Sequence, residues 1–327
     1  MERLKFAAIL GAGAAIAAIT GAPVQAQNYP SKPVTLIVPW APGGAIDGVC
    51  RALAPKLAER LGQPVVIEHR AGAGATIGTA AVAKAAPDGH TLVMAGSASL
   101  ALAPTIFKKL PYDPTKDFAP VAYAVRTPFA LVVHPSLPVK SVADLVKLAK
   151  EKPGQLNYGS GGPGSPHHLY TELLKSLTGI ELTHVPYKGS APALNDVVAG
   201  HIHLMFSDPL PVLPQIEAGT VRALGVSSTN RWSTAPDIPT IAETVPGFDA
   251  VGWAMVVAPA GTPKAIVQRL HAELVAVAAM PEVAAQITKL GFFSVASPPV
   301  DELQHFINRE IERWAKVVQQ AGLAGTQ

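Results

Sequence analysis

"PVTLIVPWAPGGAIDGVCRALAPKLAERL", Pro33 to Leu61, reads as a strand, a turn and a helix in immediate succession. Pro33 to Val38 is a short, mostly apolar run of strand length. Two prolines and two glycines between Pro39 and Gly44 end it. Val49, Leu53, Leu57 and Leu61 then recur every fourth residue, which is the spacing of one helix face. Pro55 falls inside that helix, where a proline costs ~3 kcal/mol, so a kink is expected there.

The same alternation continues outward. Pro64–Glu68 reads as a second strand, Thr76–Ala86 as a helix of small residues and His90–Ala95 as a third strand. This βαβαβ rhythm predicts a parallel sheet with helices on both faces. Further strands are expected at Gln155–Gly159, Glu181–Pro186, Ile202–Phe206 and Val221–Val226. Helices are expected at Pro166–Thr178, Ala191–Ala199 and Leu210–Ala218. Leu303, Phe306, Ile307, Trp314 and Val317 form one stripe of a long final helix, a core-packing pattern.

An internal echo divides the chain. "FALVVHPSLPVKSVADLVKLAK" from Phe129 and "WAMVVAPAGTPKAIVQRLHAEL" from Trp253 share a strand, a proline turn and an amphipathic helix. Ser141, with Asp144 three residues on, is the expected cap of the first helix; Thr262 and Pro263 are the expected start of the second. Two such units suit a chain that crosses into a second domain and returns. Residues 27–125 with 251–327 would form domain I and residues 126–250 domain II, with a ligand cleft between them.

Residues 1–26 read as a cleaved secretory leader. Arg3 and Lys5 precede an apolar segment, Phe6 to Ile19, and Val24-Gln25-Ala26 offers a signal-peptidase site. That segment is too short for a span of about 20 residues. An exported protein is expected. One cysteine, Cys50, excludes an internal disulfide. Charged residues are 15% of the chain and the net charge is +3, with no dense Lys/Arg run, so nucleic acid is not an expected partner.

In parallel sheets, ligands sit beyond the carboxyl ends of the strands. Three glycine-rich turns stand there, each just before a helix: Pro39–Gly44, Gly159–His168 and Tyr187–Ser190. Helix starts carry unpaired N–H groups and partial positive charge, so three of them at one cleft would attract an anion. The anion is not expected to be a nucleotide. No phosphate-loop motif is present, and Gly72, Gly74 and Gly78 miss the dinucleotide spacing by one residue. Tyr158 replaces the glycine that would make Ser160 a hydrolase elbow. His201 and His203 would share a strand face without a third ligand near in sequence. His167 and His168, in a helix first turn, read as neutral pocket liners or surface residues. No catalytic residue, metal site or cofactor is expected.

Several long segments carry a family resemblance. "YPSKPVTLIVPWAPGGAID", "QPVVIEHRAGAGATIG", "AAPDGHTLVMAGS", "LPYDPTKDFAPVA", "HVPYKGSAPALNDVVAGHIHLMF" and "VRALGVSS…PTIAE" follow in order between about Tyr29 and Ala321. They resemble the Bug family, the extracytoplasmic solute receptors of tripartite tricarboxylate transporters. The resemblance implies an α/β periplasmic-binding-protein (Venus flytrap, type II-like) fold with two domains joined by crossing strands. It implies a periplasmic monomer that captures a small carboxylate without chemistry and delivers it to integral membrane transporter subunits. A ligand-sensing role, or an exported enzyme using the same cleft, is the alternative.

The resemblance also implies contact residues. They are Trp40, Ala41, Pro42, Gly43, Gly44, Ala45, Ile46 and Asp47 in the first loop, and Ser97 after the third strand. Ser160, Gly161, Gly162, Ser165 and His167 follow, then Tyr187, Lys188 and Gly189, then Phe206, Ser207 and Asp208. Family ligands include tri- and dicarboxylates, acidic amino acids and aromatic carboxylates. This chain departs from the usual pattern at Ala45-Ile46, at His69, Ala71 and Ala75, and at Phe206-Ser207-Asp208. With Trp40 and Ile46 at the rim and fewer hydroxyls, the pocket is expected to take one or two carboxylates on an apolar or aromatic body.

Overall fold

The computed structural model describes Tyr29–Gln327, so the leader expected at residues 1–26 lies outside the described residues. In chain order the strands are β1 Val34–Val38, β2 Val65–His69, β3 Thr91–Gly96, β4 Phe118–Pro128 and β5 Ala130–Val133. They continue as β6 Asn157–Ser160, β7 Thr183–Pro186, β8 Leu204–Ser207, β9 Arg222–Val226, β10 Val251–Pro259 and β11 Phe293–Ser294. Among the described residues they form two sheets, ordered β11-β4-β10-β3-β1-β2 and β7-β6-β8-β5-β9.

The two sheets repeat one plan. In the first, β1 pairs in parallel with β2 and β3, and β10 lies antiparallel between β3 and β4. In the second, β6 pairs in parallel with β7 and β8, and β5 lies antiparallel between β8 and β9. The echoing segments at Phe129 and Trp253 are therefore equivalent: each supplies the antiparallel fourth strand of its sheet. Ser141 caps the helix Val142–Glu151 by accepting the Asp144 amide at 3.1 Å. The partner helix starts one residue later than expected, at Lys264, and Thr262 instead donates its hydroxyl to the Pro259 carbonyl.

The helix Ala45–Leu61 runs through Pro55. β4 is an eleven-residue strand that the sequence reading passed over, because Pro120 and Pro128 argue against a sheet interior. Register shifts in the β10–β4 ladder, one of them beside the Val257–Pro120 pair, accommodate the missing donor. His201 and His203 lie in the turn before β8 rather than on it, and bond separately to Asp196 and Asn157.

Only Phe129 separates β4 from β5, so the chain passes from one sheet to the other in a single residue. The Phe129 amide donates to Ser227 Oγ and the Ser227 amide donates back to the Phe129 carbonyl, both at 2.8 Å. The Ala250 amide then donates to the Ser227 carbonyl just before β10, at 2.9 Å. Ser227 thereby ties both crossings together.

The final helix, Val300–Gln320, buries Leu303, Ile307, Trp314 and Val317. Trp314 stacks on Tyr170 of the helix Pro166–Thr178, with ring centroids 5.4 Å apart. Glu310, 9% exposed, accepts the indole N–H groups of Trp253 at 3.0 Å and Trp314 at 3.2 Å. Glu310→Ala would leave two buried indole donors without an acceptor and should cost about 2–4 kcal/mol. Urea unfolding checks this; a midpoint unchanged from wild type would contradict it.

Candidate functional site

Gly44 occupies the cap position of the helix Ala45–Leu61 and has no side chain to cap it; among the described residues no side chain does so. The first-turn amides of a seventeen-residue helix are left at its positive end. The turn is held from beneath instead. Asp47, only 2% exposed, accepts the Gly43 amide at 2.8 Å, Arg51 Nε at 2.9 Å and His69 Nε2 at 2.9 Å. Burial raises the Asp47 carboxyl pKa, but the Gly43 amide, Arg51 and His69 outweigh burial and bring it to about 2. Asp47 therefore faces the protein, not the cleft.

The turn after β6 is also pinned by its own side chains. Ser160 Oγ accepts the Gly162 amide at 3.0 Å and contacts His184 Nε2 at 2.6 Å. Ser165 donates its hydroxyl to the Gly162 carbonyl at 2.7 Å and caps the following helix through the His168 amide. This helix start, unlike the one at Gly44, already has a side-chain cap. Gly162 and Gly164 have φ of +115° and +74°, which a side chain would strain. His168 Nδ1 accepts the Gly164 amide at 3.2 Å, and its ring stacks on His184 at 3.9 Å.

Between these turns lies a cavity of about 630 Å³. Of the residues expected to make contact, Trp40, Gly44, Ala45, Ile46 and Ser97 line its first wall. Gly161, Gly162, Ser165, His167 and Asp208 line the second. Ala41, Pro42 and Gly43 do not reach it, nor do Tyr187, Lys188 and Gly189. Tyr187 instead donates its hydroxyl to Asp196 at 2.6 Å. Ser160, Phe206 and Ser207 are fully buried, and Phe206 stacks on Phe248. They shape the walls from behind.

The sequence reading missed the floor. Phe129 and Trp253 line the cavity with their neighbours Thr127 and Gly252. They head the two echoing segments, so the echo carried the signal for them. Leu102, Ile106 and Phe107 add apolar surface after β3, while Phe292 and Gln327 arrive from the distant C-terminal part without a local cue. Gly96 must lack a side chain, since a Cβ there would lie 2.9 Å from the Trp253 carbonyl oxygen and 3.1 Å from the Trp40 ring.

The lining is apolar and aromatic, and it contains no lysine or arginine among the described residues. His167 Nε2 lies 3.0 Å from Asp208 Oδ2. Asp208 sits deep in the molecule, yet its side chain keeps 34% exposure because it faces the cavity. Burial raises its pKa, but the His167 ring, the Ser190 hydroxyl and its own amide leave it below the usual carboxylate value. A second groove of about 660 Å³ holds Lys147 and Lys150 on exposed helix faces, and the helix start that reaches it, at Ala143, is already capped by Ser141.

The chain matches the model of the tripartite tricarboxylate transporter family receptor over residues 49–323. Protein BugT of Bordetella pertussis is 39% identical over 328 residues, covering 98% of this chain and 99% of that one. The R. palustris protein Rpa4515, solved with adipate, is 39% identical with a TM-score of 0.79 over 90% of this chain and 99% of its own. The periplasmic binding protein BugD is 33% identical with a TM-score of 0.75, over 90% and 99% of the two chains.

The His168–His184 stack makes the second wall sensitive to acid. Burial first, then the facing His184 and Lys175, lower the His168 pKa to about 4 from 6.5, against the opposing pull of Glu172. A folded pKa below the unfolded one means that the unfolded chain takes up a proton the folded chain refuses. Stability should be full above about pH 6.5 and fall as pH drops toward 4. His168→Gln should reduce that slope in chemical denaturation; an unchanged slope would contradict the assignment.

Proposed function

The chain belongs to the tripartite tricarboxylate transporter receptor family, and from that premise we propose that it captures a small carboxylate in the cavity between its two sheets. The observation that carries this reading is the uncapped helix start at Gly44, with Gly44, Ala45 and Ile46 on the cavity wall. A helix start of this kind binds a carboxylate through its amides without a positively charged side chain. The cavity offers no lysine or arginine among the described residues, so the amides are the donors that fit.

Trp40, Ile46, Phe129 and Trp253 surround the ligand body with apolar surface. They favour an aliphatic or aromatic acid over a heavily hydroxylated one. The structural relative solved with adipate, an acid with an apolar body, supports this class. The sheet of β1–β4, β10 and β11 belongs to one lobe and that of β5–β9 to the other, so the boundary expected at residue 125 moves to Phe129, with the hinge at Phe129 and Ser227. Ligand touching both walls then favours the closed arrangement. The protein works as a periplasmic monomer after loss of its leader, and the closed form presents the ligand to membrane transporter subunits. The protein performs no chemistry on the ligand. The Ser160–His184 hydroxyl–imidazole pair, part-buried, lies behind the second wall and holds the turn.

Thermal melts with adipate, an aromatic monocarboxylate and citrate test the reading. A ligand at 100 times its Kd should add about 2.7 kcal/mol. Citrate giving the largest shift, with the apolar acids giving none, would overturn the ligand class. A side chain at Gly44 has room against the backbone, meeting only the Ala41 carbonyl at 3.4 Å. Gly44→Leu should thus keep the fold while weakening binding by roughly 100-fold, a loss of two to three amide–carboxylate hydrogen bonds. Retained affinity in that variant would show that the turn does not hold the ligand.

A further inference from the structure

The second wall carries an acidic group that carboxylate capture does not explain. Asp208 stands at the cap position of the helix Pro209–Glu217, yet its side chain makes no cap hydrogen bond. An aspartate there ordinarily accepts an amide of its own helix. Here the carboxylate turns to His167 Nε2 at 3.0 Å, with the Ser190 hydroxyl as its other side-chain partner. It keeps 34% exposure on the cavity wall.

His167 supplies a second, independent observation. It is 7% exposed and lines the cavity, and its Nδ1 is buried with no hydrogen-bond partner among the described residues. The absent side chain of Gly161 leaves room beside that atom, since a Cβ there would lie 3.3 Å from Nδ1. Nε2 donates to Asp208 and so fixes the carboxylate on the wall. The acceptor that faces the cavity on this wall is the Asp208 carboxylate, with the enclosed His167 ring behind it. A second ligand carboxylate would bring only more acceptors and a like charge. A ligand N–H group would satisfy the carboxylate.

We propose that Asp208, positioned by His167, determines the specificity of this receptor, selecting acids that carry one carboxylate and, away from it, an ammonium or other N–H donor. The single carboxylate meets the uncapped amides of the first wall and the nitrogen meets Asp208 on the second. This deepens the carboxylate-capture reading and rests on it.

Titration calorimetry of the full protein with hexanoate, 6-aminohexanoate and adipate separates the terms, because the three share a six-carbon chain and differ at one end. Wild type should bind 6-aminohexanoate more tightly than adipate by about tenfold or more, as like-charge contact costs affinity. Asp208→Asn keeps a residue suited to the cap position and should bring the two ligands within about threefold or reverse their order. Adipate binding to wild type as tightly as 6-aminohexanoate would overturn the proposal, and so would a preference that survives unchanged in the variant. The rank order in wild type stands as a test even if the variant does not fold. Hexanoate binding without 6-aminohexanoate preference would leave carboxylate capture intact and remove the role of Asp208. Binding of none of the three would remove both.

Discussion

A buried carboxylate governs the geometry of this molecule's cleft. Asp47 is almost wholly out of solvent, so its charge has to be met by hydrogen bonds. Three groups meet it: the amide of Gly43 before the helix, Arg51 one turn along it, and His69 at the end of the neighbouring strand. Those bonds fix the turn after β1 from behind while Gly44 leaves the helix start without a side-chain cap. Negative charge is satisfied inside the protein and donor capacity faces the cavity. An aspartate directed to the cleft would have made the same turn repel an acid.

The second constraint is the connection between the sheets. Each sheet takes its antiparallel strand just after a crossing, at Phe129 and before Val251, and Ser227 bonds to both crossings. Few residues are therefore free to change φ and ψ when the walls approach. Phe129 serves both roles, since its backbone is the crossing and its ring lies on the cavity floor against His167 at 5.2 Å. Trp253, within β10 just past the return crossing, adds its indole to the same floor, and Glu310 anchors that indole to the final helix. The proposed ligand contacts and hinge thus fall on the same few residues.

Much of this was legible in the sequence, and the failures have physical reasons. Local patterns found the strands flanking the glycine turns, and Asp144 three residues on marked Ser141 as a cap. The echo of "FALVV" and "WAMVV" located the two equivalent strands. What escaped depended on register. His69 stood out as an unusual residue, but its partner follows only from the pairing of Val38 with His69 across β1 and β2. Asp47 read as a cleft residue because a helix first turn looks the same from outside and inside. β4 escaped because two prolines mask it, and a bulged ladder absorbs them. β8 is buried along its whole length through Ser207, and Asp208, just past its end, reaches the wall, a distinction the motif alone could not make.

The central claim is that backbone amides at one uncapped helix start, rather than a positively charged side chain, hold the ligand's carboxylate. A crystal structure of the protein with a bound aliphatic or aromatic acid tests it most directly. The account predicts a ligand carboxylate hydrogen-bonded to the amides around Ala45 and Ile46, its body against Trp40, Phe129 and Trp253. A ligand carboxylate paired instead with Lys147 and Lys150 in the outer groove, or seated away from the turn at Gly44, would contradict it.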